Sequence, residues 1–146
     1  MAVEEKKELV RRFFKDALDK GNVDLLDEIF NDNCVFHRGD LNEPAKGLEG
    51  MRSILEKRVQ LYRDFETTIH LLIGEGDLIA SQQTHTGIHR GKFPTPIGTF
   101  DVKHRPVKWT AHAFIRFEGK KISEYWVSRD ELALFHSLNI KLEAKI

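Results

Sequence analysis

The hydrophobic period changes once along this chain, after Asp64, and that change limits the folds open to it. Before it, apolar residues recur at helical spacing. Val10, Phe13, Phe14, Ala17 and Leu18 do so within residues 4–20, and Leu25, Leu26, Ile29 and Phe30 from Val23 to Phe30. Leu48, Met51, Leu55, Val59 and Tyr62 mark a third, longer helix. Gly21 and Asn22 suit the stop of the first helix and the cap of the second. After Asp64, apolar and polar residues alternate. Thr67–Ile73 and Leu78–Thr86 read as strands joined at Gly74-Glu-Gly-Asp77. Val107–Phe117 and Ile122–Asp130 read as two more, joined at Gly119-Lys120. Cys34–His37 is a short early strand, Gly39–Pro44 a loop, and Glu131–Leu138 a closing helix. Residues 91–106 hold three prolines and two glycines and form the longest irregular stretch. Helices followed by an antiparallel meander predict an α+β domain with helices on one face of a curved sheet.

Composition excludes several functions. At 146 residues the chain, 1–146, is expected to be one domain with a real core. Its 23 basic residues balance 23 acidic ones, which leaves no electrostatic footprint for nucleic acid or an anionic membrane. No apolar run approaches the ~20 residues that span a bilayer. A lone cysteine, Cys34, and an N-terminus without a signal-peptide pattern make cytoplasm the expected compartment. Neither a helical His-x-x-x-His nor a cysteine pair is present, so no metal is expected. No glycine-rich phosphate loop follows a strand, and Cys34 lacks a nucleophile motif.

The last hairpin carries the functional signal. A turn at Gly119-Lys120 with regular pairing sets Phe117 opposite Ile122. Ile115 then meets Glu124, Ala113 meets Trp126, Ala111 meets Ser128, and Trp109 meets Asp130. This face is the more apolar and is expected to look toward the helices. Ala111 and Ala113 leave room there, for helix side chains or for a ligand. The other face sets His112, Phe114 and Tyr125 among charges, a candidate homodimer surface. A one-residue bulge in either strand would exchange some of these positions.

The chain resembles the SnoaL-like polyketide cyclases, the predicted ester cyclases of the nuclear-transport-factor-2-like superfamily. The likeness lies in Leu9-Val-Arg-Arg-Phe-Phe14, Lys20-Gly-Asn-Val-Asp24, Val35-Phe-His37, Gly47-Leu-Glu-Gly50 and the turn at Gly74-Glu-Gly-Asp77. It continues in Thr86-Gly-Ile-His-Arg-Gly-Lys-Phe93, Phe117-Glu-Gly-Lys-Lys-Ile-Ser-Glu-Tyr-Trp126 and Asp130. It implies a cone of curved antiparallel sheet wrapped on three N-terminal helices, a deep pocket, and a homodimer. It also implies cofactor-free aldol cyclisation with a pocket Asp as acid and base. Phe14, Gln83, Ala113 and Val127 depart from the family pattern, each standing where a tyrosine, a tryptophan or an acid is common.

Asp130 is the candidate catalytic residue. A carboxyl group in a half-apolar pocket can take a proton from carbon beside a carbonyl and return it to oxygen. It is equally placed to cap the helix that follows. Phe14, His37, Trp109, Trp126 and Ser128 are candidate pocket walls, and the tryptophans serve equally as core. Glu124 is either a substrate contact or half of a salt bridge to an Arg or Lys from a helix, His89 either a substrate contact or a turn brace. An epoxide-hydrolase-like Asp–Arg–Asp site is disfavoured, because Arg129 points away from Asp130 in this register. The expected ligand is a small, partly apolar carbonyl compound, cyclised or isomerised without a cofactor. The competing expectation is a binding or assembly module of the same fold that performs no chemistry.

Overall fold

The computed structural model describes residues 1–144. Helix α1 (Val3–Arg12) runs directly into a π-helical stretch, Phe13–Asp19, which buries Phe13, Phe14 and Ala17. Gly21 ends it at φ 68°, and a Cβ there would lie 2.7 Å from Val59 Cγ2. Conformation and space both therefore require glycine. The Asn22 side chain accepts from the Asp24 N–H and opens a 3-10 turn, Val23–Leu25, that leads into a four-residue α2 (Leu26–Ile29). Strand β1 (Phe30–Arg38) and the short β2 (Ala45–Lys46) precede α3 (Gly47–Leu61). The chain then turns directly into β3 (Tyr62–Glu75) and β4 (Leu78–His89). A small hairpin, β5 (Lys92–Thr95) and β6 (Gly98–Asp101), is followed by β7 (Pro106–Glu118), β8 (Lys121–Arg129) and α4 (Glu131–Ser137).

Six strands form one sheet in the order β2-β1-β8-β7-β4-β3. All neighbours are antiparallel except β1 and β8, which run parallel, so the sheet is mixed. It curls around α1, α2 and α3, as expected of the cone. Among the described residues the core divides into two clusters. One packs Phe13, Phe14, Phe30, Phe36, Met51, Leu55 and Tyr125 between helices and sheet. The other gathers Tyr62, Phe65, Phe93, Trp109, Leu134 and Leu138 at the opposite end. The stretch expected to be irregular contributes to the second cluster. Phe93 pairs with Phe100, and burial of Phe93 and Val102 fixes a segment that its prolines and glycines mark as a loop.

The register of the last hairpin differs from regular pairing. Phe117 pairs with Ile122, but Arg116 pairs with Glu124, which leaves Ser123 as an extra residue in β8. Ile122 and Ser123 are both buried, as a bulge that turns two successive residues the same way requires. From there on Ile115 meets Tyr125, Ala113 meets Val127 and Ala111 meets Arg129. The face of β7 is as expected, and the face of β8 is inverted. Glu124, Trp126 and Ser128 lie on the outer face beside Arg116, Phe114 and His112.

Candidate functional site

A cavity of about 240 Å³ lies between the two core clusters. The first cluster contributes Phe13, Phe14, Phe36 and Tyr125 to its wall, the second Tyr62, Phe65, Phe93 and Trp109. Ala111 and Val127 leave the space between them. The room expected beside Ala111 is therefore real, though it faces Val127 and Arg129 instead of Trp126 and Ser128.

His85 is the most constrained polar group in the wall. Its Nδ1 lies 2.9 Å from Thr67 Oγ1. That hydroxyl donates to Asp19 Oδ1 at 2.6 Å, and the Thr67 N–H donates to Asp19 Oδ2 at 2.9 Å. A hydroxyl has one proton. Because Thr67 gives it to the carboxylate, it can only accept from His85, so Nδ1 carries the imidazole hydrogen and Nε2 keeps a free lone pair. Burial pushes the His85 pKa down to about 3, and the charges of Arg129, Arg58 and Lys15 push the same way. The ring is therefore neutral at physiological pH.

A pH-dependence of stability follows. The unfolded chain takes up a proton on this histidine near pH 6.5, and the folded chain does not until about 3. Between those values the unfolded state holds more protons, so stability falls as pH is lowered through that window. Unfolding free energies from denaturant titration at pH 7 and 4.5 are expected to differ by about 2–3 kcal/mol more in the wild type than in His85→Phe. Equal losses in the two proteins would show that the imidazole is not held neutral.

Other wall groups fall into donors and charges. Among the described residues the Trp109 indole N–H and the Gln83 side-chain N–H₂ are buried without a partner, and Gln83 Oε1 accepts from Ser81 at 2.8 Å. Burial raises the Tyr62 phenol to about 12 and raises Tyr125 as well, so both stay protonated donors. Asp40 is the single carboxylate among the described wall residues. Burial alone would raise it, but the Arg38 hydrogen bond and the Arg129 and Arg38 charges hold it below the usual carboxylate range. Arg129 faces inward, contrary to expectation, with Nη2 3.5 Å from Asp40 and Nε donating to Glu131 at 2.9 Å. An acid–arginine–acid unit thus exists, but Asp40 is tied to two guanidinium groups and Glu131 is not part of the wall.

The expected site residues separate. Phe14 and Trp109 line the cavity. Asp130 does not: it is exposed and caps α4, with Oδ1 accepting from the Ala133 N–H at 3.0 Å. His37, Glu124 and Trp126 sit together on the outer face because of the bulge. His37 Nε2 lies 2.7 Å from Glu124 Oε2 and its ring stacks on Trp126 at 5.5 Å, while Arg116 donates to Glu124 at 3.3 Å. The His37 hydrogen bond, with help from Arg116, lowers the Glu124 pKa; the salt-bridge partner is Arg116 of β7 and not a helix residue. Ser128 is exposed opposite His112. His89 is fully buried outside the cavity wall. Its Nδ1 accepts from the Gly91 N–H at 3.3 Å, a turn brace, and burial lowers its pKa. Tyr125, expected on the outer face, is buried against Phe13 and Phe36.

Sequence reasoning missed His85, Gln83, Arg58, Arg129 and the pair Thr67–Asp19. One signal was present: Ser81, Gln83, His85 and His89 occupy alternate positions of one strand, too polar a row for a dry core face.

Fold and cavity together define an α+β cone protein with an internal small-molecule pocket. The chain belongs to the SnoaL-like polyketide cyclase family, whose model matches residues 8–138. No match is found among curated proteins. Several solved structures share the fold. TsrD from Streptomyces laurentii superposes with a TM-score of 0.83 at 19% identity, over 97% of this chain and 99% of that one. IdmH from Streptomyces antibioticus, a candidate polyketide cyclase, gives 0.77 at 21% identity, over 92% and 99%. An epoxide hydrolase of M. tuberculosis gives 0.72 at 18% identity, over 93% and 86%. No described helix is long and apolar enough to cross a membrane.

Proposed function

We propose that the cavity binds a small, partly apolar carbonyl compound and moves a proton on it without a cofactor, through His85. The observation that carries this reading is the Asp19–Thr67–His85 chain, which ends at an imidazole in the cavity wall. A neutral imidazole with a free Nε2 accepts a proton from carbon beside a carbonyl. The donors Trp109, Gln83, Tyr62 and Tyr125 are of the kind that hold the resulting enolate oxygen. Ring closure or isomerisation is the natural outcome of such an enolate. The volume lies below the about 300–1,000 Å³ of drug-sized sites, which favours a ligand of one or two rings. The expectation of a homodimer through the outer sheet face is kept, with Trp126 joining Phe114 and His112 in place of Tyr125.

The competing reading is a binding module without chemistry. The observation in its favour is that the one carboxylate in the described wall, Asp40, is neutralised by Arg38 and Arg129.

Titration with β-benzoylpropionate, an aryl ketone with exchangeable α protons, tests both readings by NMR. Binding is expected to shift the Trp109 indole resonance in a Trp126→Phe background, and α-proton exchange into D₂O is expected to accelerate. Asp130→Ala is expected to leave binding and exchange unchanged while losing about 1 kcal/mol of stability, the value of a helix cap. Exchange that fails with Asp130→Ala would return the chemistry to that carboxylate. Binding without exchange would favour the module.

A further inference from the structure

The charges around the cavity do not cancel. Four cationic side chains, Arg38, Lys57, Arg58 and Arg129, line it against the single acid Asp40 among the described residues. Arg38 and Arg129 are accounted for by Asp40 and Glu131. Arg58, in the last turn of α3, and Lys57 just before it form no salt bridge among the described residues.

Arg58 is the more exacting case. Its guanidinium lies over the Phe65 ring at 4.7 Å, and its one hydrogen bond is a long one, 3.5 Å, from Nη2 to the Asp19 carbonyl. Among the described residues its Nε is buried without a partner. The acid that acts on it, the Asp19 carboxylate, is committed to Thr67 and, at 3.6 Å, to Lys15. Burial lowers the Arg58 pKa, and Arg90 acts on it as a like charge against the opposing pull of Asp19. A helix C-terminus favours cations, which explains why α3 tolerates the pair, but not why both line a cavity. A half-buried guanidinium with an idle N–H is costly until an anion reaches it. Trp109 and Gln83, whose side-chain N–H groups are also buried without a partner among the described residues, stand in the same wall.

We infer that the ligand of this cavity is an organic anion, a carboxylate on a small carbonyl-bearing frame, held by Arg58 and Lys57. The inference rests on the cavity being the ligand site; it does not depend on any chemistry occurring there.

A matched pair of ligands tests it, β-benzoylpropionate and its methyl ester, which differ in charge and hardly in shape. The acid is expected to bind about tenfold tighter than the ester in calorimetric titration at pH 7, the scale of one charge-assisted contact. That preference should shrink as salt is raised. Arg58→Gln is expected to bring acid and ester toward parity by weakening the acid alone. Lys57→Gln, at an exposed position that cannot unfold the domain, is expected to do the same in part. Equal binding of acid and ester in the wild type, or a preference untouched by both substitutions, overturns the charge inference and leaves the cavity as a site. Failure of both ligands to bind overturns the site itself, and the inference with it.

Discussion

His85→Phe is expected to slow α-proton exchange of bound β-benzoylpropionate by about 10²–10⁴-fold, the range of a lost general base, while the ketone still binds. Phenylalanine fills the same wall and keeps the contacts to Phe65 and Trp109, whose ring centres lie 5.4 and 5.3 Å away. The expected loss therefore belongs to the nitrogen and not to packing. His85 cannot store a positive charge, because burial and three nearby cations hold its pKa at about 3. In the reaction proposed above, the proton transfer leaves the ring neutral. Nε2 takes the substrate proton, Nδ1 passes its hydrogen to Thr67 Oγ1, and Thr67 passes its own to Asp19 Oδ1. The electrons of the broken C–H bond move onto the carbonyl oxygen. Asp19 ends protonated, next to Lys15 and within reach of solvent through its side chain, which is 10% exposed. Thr67→Val is then expected to slow exchange nearly as much, since it cuts the chain at the hydroxyl that His85 Nδ1 meets while leaving the imidazole in place. An exchange rate preserved in Thr67→Val but lost in His85→Phe would mean that the histidine works alone. A rate preserved in both would remove His85 from the chemistry.

How much of this was legible depended on how each strand divides its residues. In β7, Trp109, Ala111, Ala113, Ile115 and Phe117 alternate with Lys108, His112 and Arg116, so one face is plainly apolar and the buried side was read correctly. The β8 sequence Ile-Ser-Glu-Tyr-Trp-Val-Ser-Arg puts an aromatic residue and a charge on each face, and no pattern reveals one extra residue at Ser123. The bulge alone moved three expected site residues. Glu124, Trp126 and Ser128 went to the outer face, and His37 lies beside them because β1 pairs with β8. In β4 both faces are polar, Ser81, Gln83 and His85 against Gln82, Thr84 and Thr86, so alternation carries no information about which side is buried. The role of His85 depends on Thr67 in β3 and on Asp19 at the end of the first helix, and only the folded chain brings these together. The cap at Asp130 needed nothing distant. An aspartate just before a short helix was sufficient.

The inverted face of β8 makes the second large prediction, and adjacent aromatic residues decide it. Tyr125→Ala is expected to cost about 3–5 kcal/mol, as for other buried aromatics, and Trp126→Ala about 1 kcal/mol. Tyr125 is 3% exposed and packs against Phe13 at 5.7 Å and Phe36 at 5.3 Å, so truncation opens a void between α1 and the sheet that rigid neighbours cannot refill. Trp126 is half-buried on the outer face, where its main contact is the stacked His37 ring, and water can take its place. Regular pairing of the hairpin predicts the opposite order, with the tryptophan inside and the tyrosine outside. Urea midpoints of the two variants therefore read the register without a further structure. A larger loss for Trp126→Ala has two sources that the measurement separates. If the protein is dimeric through this face, the excess loss shrinks on dilution, as wild type and variant both become monomers; if the register is regular, it does not depend on concentration. A concentration-independent excess would remove the bulge, and with it the placement of Arg129 and Val127 in the cavity wall.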